Sequence, residues 1–408
     1  MEELVVVGGW QAGIQCIASL RKEGYSGSIT LIGEENHLPY QRPPLSKGFL
    51  SGATASDRLY LKKLEFFQEN SIQLNLGVTA KKIDRENCLV HLSDNKTIGY
   101  DKLVLATGSR VRKLNFPGSN LDGINYLRGI DDATLLKDGL LKSKNLVIVG
   151  AGYIGLEVAA VATEFDIKIT VIEMADRVMN RTVDPIISHY YEKLHTNNGI
   201  KFILNERLEK VDGNNTVEHV ICSGGSSIQA DILVIGAGVI PNVELAEESG
   251  LSCENGISVD QYGQTEDMKV FACGDCTNHP NEKLNRRLRL ESVHNAMEQS
   301  KTVAFSIMGK KTAYNQIPWF WSDQYDHKLQ IVGLSGDHDE VLMRGSLEES
   351  KFMLFYLKEE EIVAIDAVNN PKEFLICRKL VENKVKISPE DILNQSKNLN
   401  DLIIWKRQ

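Results

Sequence analysis

One pattern constrains this chain more than any other: Gly150-Ala151-Gly152-Tyr153-Ile154-Gly155, set between an apolar run at 146–149 and an apolar helical stretch at 156–165. A further apolar run at 168–172 ends on Glu173, 18 residues past Gly155. Strand, glycine turn, helix, strand is a parallel βαβ unit. The residue types fit a dinucleotide. Gly150 makes a tight turn, Gly152 lets the backbone approach a pyrophosphate, and Gly155 lets the helix pack closely on the strand. The helix N-terminus then meets negative charge. An acid at the end of the second strand accepts hydrogen bonds from a ribose 2′-hydroxyl and repels a 2′-phosphate, so Glu173 predicts NADH over NADPH.

The same order occurs at the start of the chain, about 140 residues earlier, which is roughly one domain length. A run at 4–7 leads into Gly8, Gly9 and Gly13, then helical spacing of Ile14, Ile17, Ala18 and Leu20 up to Gly24, and a strand at 28–32. Glu34 lies 21 residues past Gly13, placed for an adenosine ribose. This copy departs from the pattern, because Trp10 stands where the second glycine belongs. Two outcomes are open: the indole swings aside and the nucleotide binds, or it blocks the site.

Composition bounds the rest. At 408 residues the chain is long enough for two to three domains with buried cores. The charge, 46 Lys and Arg against 55 Asp and Glu for a net −9, argues against nucleic acid as a partner. Seven scattered cysteines are no disulfide framework and suit a reducing cytoplasm. The first residues carry no signal-peptide pattern. The most apolar stretch, 145–165, holds glycines and two glutamates that a membrane span would resist. From 319 onward strand-like runs at 329–332, 340–344, 352–357 and 362–368 precede a helical segment at about 372–382 and a short helix begun by Ser388-Pro389. That is a separate α+β domain.

Several blocks are more specific than any glycine turn. Leu38-Pro39-Tyr40-Gln41-Arg42-Pro43-Pro44-Leu45-Ser46-Lys47, Ala106-Thr107-Gly108, Cys273-Gly274-Asp275-Cys276, Arg289 through Ala296 and Pro318-Trp319-Phe320-Trp321-Ser322-Asp323-Gln324 occur in order. In these the chain resembles the oxygenase-coupled ferredoxin reductases, from residue 4 to about 370. The resemblance implies an α/β, glutathione-reductase-like fold: two Rossmann-type dinucleotide-binding domains plus a C-terminal α+β domain. It implies a discontinuous FAD domain at 1–112 and 241–317, an NAD domain at 113–240 between them, and a C-terminal domain at 318–408. For FAD it points to Gly8, Gly13, Glu34, Arg42, Lys47, Ala80, Ala106, Arg128, Asp275, Val293 and Trp321. For NADH it points to Gly150, Gly152, Tyr153, Ile154, Gly155, Glu157, Glu173, Arg181 and Gly238. Lys47 resembles the family's lysine beside flavin N5, paired with a glutamate matching Glu157, and Trp321 an aromatic near the flavin and nicotinamide; these three are the catalytic candidates. Asp275 is expected in a turn opening a helix.

The activity so implied is an NADH:ferredoxin oxidoreductase in which FAD passes electrons to a small iron–sulfur protein serving a P450 or Rieske-type oxygenase. A rubredoxin or small-molecule reductase is one alternative, and a non-catalytic NADH-binding protein with its FAD site impaired by Trp10 another. The basic cluster Arg286, Arg287, Arg289, with Lys301, is the expected docking patch for an acidic [2Fe–2S] ferredoxin. Cys273-x-x-Cys276 encloses the flavin turn and is not read as a redox pair; no metal-ligand spacing occurs. His294 is read as a packing or solvent-gating residue.

Overall fold

The computed structural model describes residues 2–402, without the side chains of 401 and 402; the last residues of the expected C-terminal domain, 403–408, lie outside it. The described residues divide into two compact units: those up to 41, 56–110 and 239–318 form the first, and 42–55, 111–238 and those from 319 onward the second. The segment 42–55, which its place in the sequence puts with the first unit, clusters with the second.

The first unit is built on a five-stranded parallel sheet in the order Val270–Ala272, Lys102–Leu105, Glu3–Val7, Ser28–Gly33, Ile72–Leu76. Side chains alternate across a strand, and both faces of Glu3–Val7 are covered. Leu4 and Val6 join Ile14, Ile17, Leu20, Val303 and Ala304 under the helices. Val5 and Val7 join Leu103, Leu105 and Val270 on the other face. Helix Gln11–Lys22 packs on helix Val293–Ile307. A small antiparallel sheet, Ala80–Asp84, Leu89–Leu92 and Thr97–Gly99, completes this side.

The second unit repeats the parallel core in the order Lys201–Leu204, Lys168–Glu173, Asn145–Val149, Ile232–Ile235, Ile124–Asn125. Helix Tyr153–Ala162 follows its central strand and ends in a short 3-10 turn, Thr163–Phe165. A five-stranded antiparallel sheet belongs to the same unit, ordered Trp319–Gln324, His327–Gly333, Glu361–Val368, Lys351–Lys358, Glu340–Ser346. Helix Pro371–Glu382 packs on two of these strands. The edge strand Trp319–Gln324 lies on helix Tyr153–Ala162. The strand pattern from 329 onward is present, and the sheet adds the edge strand Trp319–Gln324, on which Ser322 and Gln324 are buried.

Among the described residues no helix is long and apolar enough to cross a membrane.

Candidate functional site

In the first unit, strand Glu3–Val7 runs into a turn whose shape demands glycine at two points. Gly8 has φ +115°, and a Cβ there would lie 2.1 Å from the Ala106 carbonyl oxygen. A Cβ at Gly13 would lie 2.0 Å from the Gly8 carbonyl oxygen. Trp10, between them, is the helix N-cap in ordinary extended geometry, φ −109° and ψ −164°, with no side-chain cap on the helix. Its indole stands edge-on to Tyr40, ring centroids 5.2 Å apart. Tyr40 is fully buried and donates its hydroxyl to Glu35 Oε2 at 2.5 Å. The indole is thus held toward the 35–40 loop. Glu34 is exposed at the end of the neighbouring strand. Ala106 is buried at the end of Lys102–Leu105, and Ala80 opens the small antiparallel sheet.

Asp275 follows Gly274, φ +87°, and its Oδ2 accepts the Ser109 hydroxyl at 3.0 Å. No helix follows it, contrary to expectation. The chain continues as strand Thr277–Asn281, paired with Arg286–Leu288. Pro280 inside that stretch removes a backbone donor a helix would need. The helix N-terminus in this region belongs to Val293, whose N-cap Ser292 accepts the Asn295 N–H at 3.1 Å. His294 is buried in the same first turn.

The basic cluster is largely engaged in the fold. Arg287 donates to the Val259 carbonyl at 2.9 Å and the Asn278 carbonyl at 2.6 Å. Arg289 is ion-paired with Glu291 and donates to Asn255 Oδ1 at 3.1 Å, while Lys301 pairs with Glu298 at 2.6 Å. Cys273 and Cys276 are buried free thiols; burial pushes Cys273 up to about 12 and raises Cys276 as well. Cys276 Sγ donates to the Leu105 carbonyl at 3.6 Å. Protonated, enclosed thiols of this kind are poor nucleophiles.

The second unit carries the intact turn. Gly150 has φ +103°, with a Cβ there 2.4 Å from the Gly236 carbonyl oxygen, and a Cβ at Gly155 would lie 2.1 Å from the Gly150 carbonyl oxygen. At Gly152 a Cβ would meet nothing within 4 Å. Gly152 is the N-cap of Tyr153–Ala162 and supplies no side chain to the helix N–H groups. Open space over an uncapped helix N-terminus fits a pyrophosphate. Glu173 shapes this turn: Oε2 accepts the Ala151 N–H at 2.7 Å and Oε1 the Ala175 N–H at 2.9 Å. Arg181 is exposed, its Nη2 beside Gly238, where a Cβ would lie 3.8 Å away. Ile154 is exposed, and Tyr153 stacks on Phe320 with centroids 4.6 Å apart. Arg128 donates its N–H to Asp132 Oδ2 at 2.9 Å, and its carbonyl accepts from the Arg42 guanidinium.

One turn along the helix from Tyr153, Glu157 is 4% exposed. Its Oε2 accepts from Lys47 Nζ at 2.6 Å and Ser46 Oγ at 2.5 Å, and its Oε1 from Ser322 Oγ at 2.6 Å. A buried carboxylate is tolerable only when paired and hydrogen-bonded; removing one partner costs roughly 3–5 kcal/mol. Lys47 is 20% exposed, so the ion pair has a wet side. The sequence brought forward Lys47 and Glu157 but assigned no role to Ser46 or Ser322. Along strand Trp319–Gln324, period two puts Phe320, Ser322 and Gln324 toward Tyr153, Glu157 and His195, and Trp319 and Trp321 on the other face, centroids 5.4 Å apart. That alternation within the Trp-Ser-Asp-Gln block was the signal available for Ser322. Among the described residues no group of three or more His, Cys, Asp or Glu could hold a metal ion.

Comparison with known proteins agrees with these features. Residues 2–300 match the pyridine nucleotide-disulphide oxidoreductase family and residues 319–403 the reductase C-terminal family. Rhodocoxin reductase of Rhodococcus erythropolis is 39% identical over 95% of this chain and 91% of its own. Putidaredoxin reductase of Pseudomonas putida is 36% identical over 98% and 97%. The structure of a ferredoxin reductase from Rhodopseudomonas palustris superposes with a TM-score of 0.95 at 39% identity, covering 98% of this chain and 99% of that one. The reductase fold read from the motifs is therefore the fold of the chain, which belongs to the pyridine nucleotide-disulphide oxidoreductase family and carries that family's reductase C-terminal domain.

Proposed function

We propose that the chain is an NADH-dependent reductase that passes electrons through FAD to a small iron–sulfur protein serving a P450 or Rieske-type oxygenase. The observation that carries the reading is the part-buried Lys47–Glu157 pair one helical turn beyond an open, uncapped glycine turn. Relatives named rhodocoxin reductase, putidaredoxin reductase and rubredoxin-NAD(+) reductase, the last 38% identical over 90% of this chain, support that class of acceptor.

In this reading NADH lies over Gly150, Gly152, Tyr153, Ile154 and Gly155, its ribose on Glu173, with Arg181 and Gly238 alongside. The residues assigned to FAD are Gly8, Gly13, Glu34, Arg42, Lys47, Ala80, Ala106, Arg128, Asp275, Val293 and Trp321. Bound FAD supplies the conversion of a two-electron hydride donor into single-electron delivery. Glu157 holds the Lys47 ammonium in a fixed place, where a preorganised positive charge favours added negative charge. Trp321 offers a flat apolar surface to a ring. We assign residues 1–112 and 241–317 to FAD, 113–240 to NADH and 318–408 to a C-terminal α+β domain. The free cysteines fit a cytoplasmic setting.

The orientation of Trp10 toward Tyr40 supports retention of FAD. The test is the visible spectrum of the purified protein, before and after FAD, then titration with NADH under nitrogen and a panel of ferredoxin, rubredoxin and quinone acceptors. Flavin bands that bleach with NADH and recover with ferredoxin are expected. A colourless protein that ignores added FAD would overturn the reading in favour of an NADH-binding protein; recovery with quinone alone would replace the acceptor.

A further inference from the structure

The carboxylate of Glu157 is the end of a longer buried path, wholly within the second unit. Ser322 Oγ lies 2.6 Å from Glu157 Oε1, and Gln324 Nε2 lies 3.2 Å from Ser322 Oγ. His195 Nε2 lies 2.7 Å from Gln324 Oε1, and the Tyr325 hydroxyl 3.2 Å from His195 Nδ1. Ser322, Gln324 and His195 are all fully buried.

Chemistry fixes the direction of every bond. A carboxylate oxygen only accepts, so the Ser322 proton points at Glu157. Ser322 Oγ must then accept, and the Gln324 amide nitrogen is the donor. That turns Gln324 Oε1 to His195, and an amide oxygen only accepts, so His195 carries its proton on Nε2. His195 Nδ1 is left with a lone pair, which takes the Tyr325 proton. Each group donates toward the anion, so each bond polarises the next. Burial lowers His195 to about 4, which keeps the ring in the neutral form this order needs.

The backbone agrees. Tyr325 begins the two-residue turn between Gln324 and His327, with φ +57°. Glycine or asparagine suits that position, and a tyrosine there costs on the order of 1 kcal/mol. Its hydroxyl on His195 is what the strained position secures.

We propose that Tyr325, His195, Gln324 and Ser322 form a one-way donor chain that positions the Glu157 carboxylate against Lys47, so that Ser322 and Gln324 are positioning residues for the NADH–flavin reaction. The chain sets the Glu157 side-chain angle from the face opposite Lys47. Losing it frees the carboxylate to rotate and the ammonium with it. This rests on the function proposed above.

The test uses the FAD-loaded protein and three variants: Ser322→Ala, Gln324→Met, which keeps bulk without a donor, and the double variant. Anaerobic stopped-flow bleaching of the flavin by NADH is expected to slow about tenfold in Ser322→Ala and about threefold in Gln324→Met, with NADH Kd unchanged and Tm lowered by a few degrees, because each variant leaves a buried group short of a partner. Because the links are in series, the double variant should be no slower than Ser322→Ala alone. Independently of turnover, 15N NMR of labelled histidine should find His195 neutral with its proton on Nε2, and Gln324→Met should abolish that signature. Rates within twofold of the wild type, effects that multiply in the double variant, or a proton on Nδ1 would each overturn the proposal. A wild-type protein without NADH-bleachable flavin would sink the proposed function and the positioning role with it. The tautomer measurement would still decide the chain itself.

Discussion

The two glycine turns of this molecule share a backbone and differ in one side chain. Gly8 and Gly150 both have positive φ, and in both turns a Cβ at the first or third glycine would lie within 2.4 Å of a backbone oxygen. The middle position is another matter. Trp10 and Gly152 are both extended N-caps, at φ −109° and −79°, and a Cβ at Gly152 would meet nothing within 4 Å. The fold itself therefore demands glycine twice per turn, not three times. The middle glycine is demanded by what binds there. Trp10 is thus a statement about the ligand of the first unit, and the unit folds the same way around it.

The first way to break this comparison is at the third glycines. Gly13→Ala and Gly155→Ala each force a Cβ onto a carbonyl oxygen, and each should destabilise its unit by about 3 kcal/mol, read as a fall in Tm. A much smaller loss in either would show that the turn relaxes and that the fold does not demand that glycine. Exchanging the middle residues comes next. Gly152→Trp should leave Tm within a degree or two yet raise the NADH Kd about 30-fold, or about 2 kcal/mol. Trp10→Gly should leave Tm equally untouched and tighten FAD several-fold. If Trp10→Gly instead weakens FAD, the indole is part of the site rather than an intrusion.

A third test bears on the acids that follow each turn. Glu173 accepts two backbone N–H groups, whereas Glu34 is exposed. Glu173→Ala should shift the NADPH to NADH ratio of kcat/KM about tenfold toward NADPH. It should also lower kcat/KM for NADH, because the turn loses two acceptors. A shift in the ratio without that fall would mean the two hydrogen bonds do not shape the turn.

Much of this was legible because it is local. The turns announce themselves by glycine spacing, and the parallel strands by continuous apolar runs. The Lys47–Glu157 pair was reachable only through the resemblance, since 110 residues separate its members. Ser322 reaches Glu157 across 165 residues, and alternation along its strand marks a face without naming the partner on it. Asp275 was misplaced before a helix because Gly-Asp reads as a helix start in isolation; Pro280 was the local sign against it. The surroundings of the basic cluster were hidden for a related reason. Spacing shows that arginines are near one another, not that Arg287 and Arg289 are turned to backbone and side-chain acceptors.

The smallest effect separates the units by pH. A buried histidine is held neutral in each: burial, with Arg287 nearby, lowers His279 in the first unit to about 4, and burial lowers His195 in the second to about 4. Unfolded, both titrate near 6.5, so between pH 6.5 and 4 the unfolded state binds more protons and stability falls as pH falls. The second unit also holds Asp366, which burial raises to about 7 while Tyr356 donates to its Oδ2 at 2.6 Å. Unfolded, that carboxyl titrates near 3.9, so from pH 7 down to 4 the folded state binds the extra proton and gains stability. The two shifts oppose each other in the second unit, whereas the influences on His279 are burial and Arg287, which both lower it. Hydrogen exchange read by mass spectrometry at pH 7 and pH 5 should therefore show the first unit losing protection sooner. Asp366→Asn should make the second unit as acid-sensitive as the first. Equal loss in both units of the unaltered protein would mean that Asp366 gives no such compensation, and the two units would then differ at Trp10 but not in how burial sets their charge.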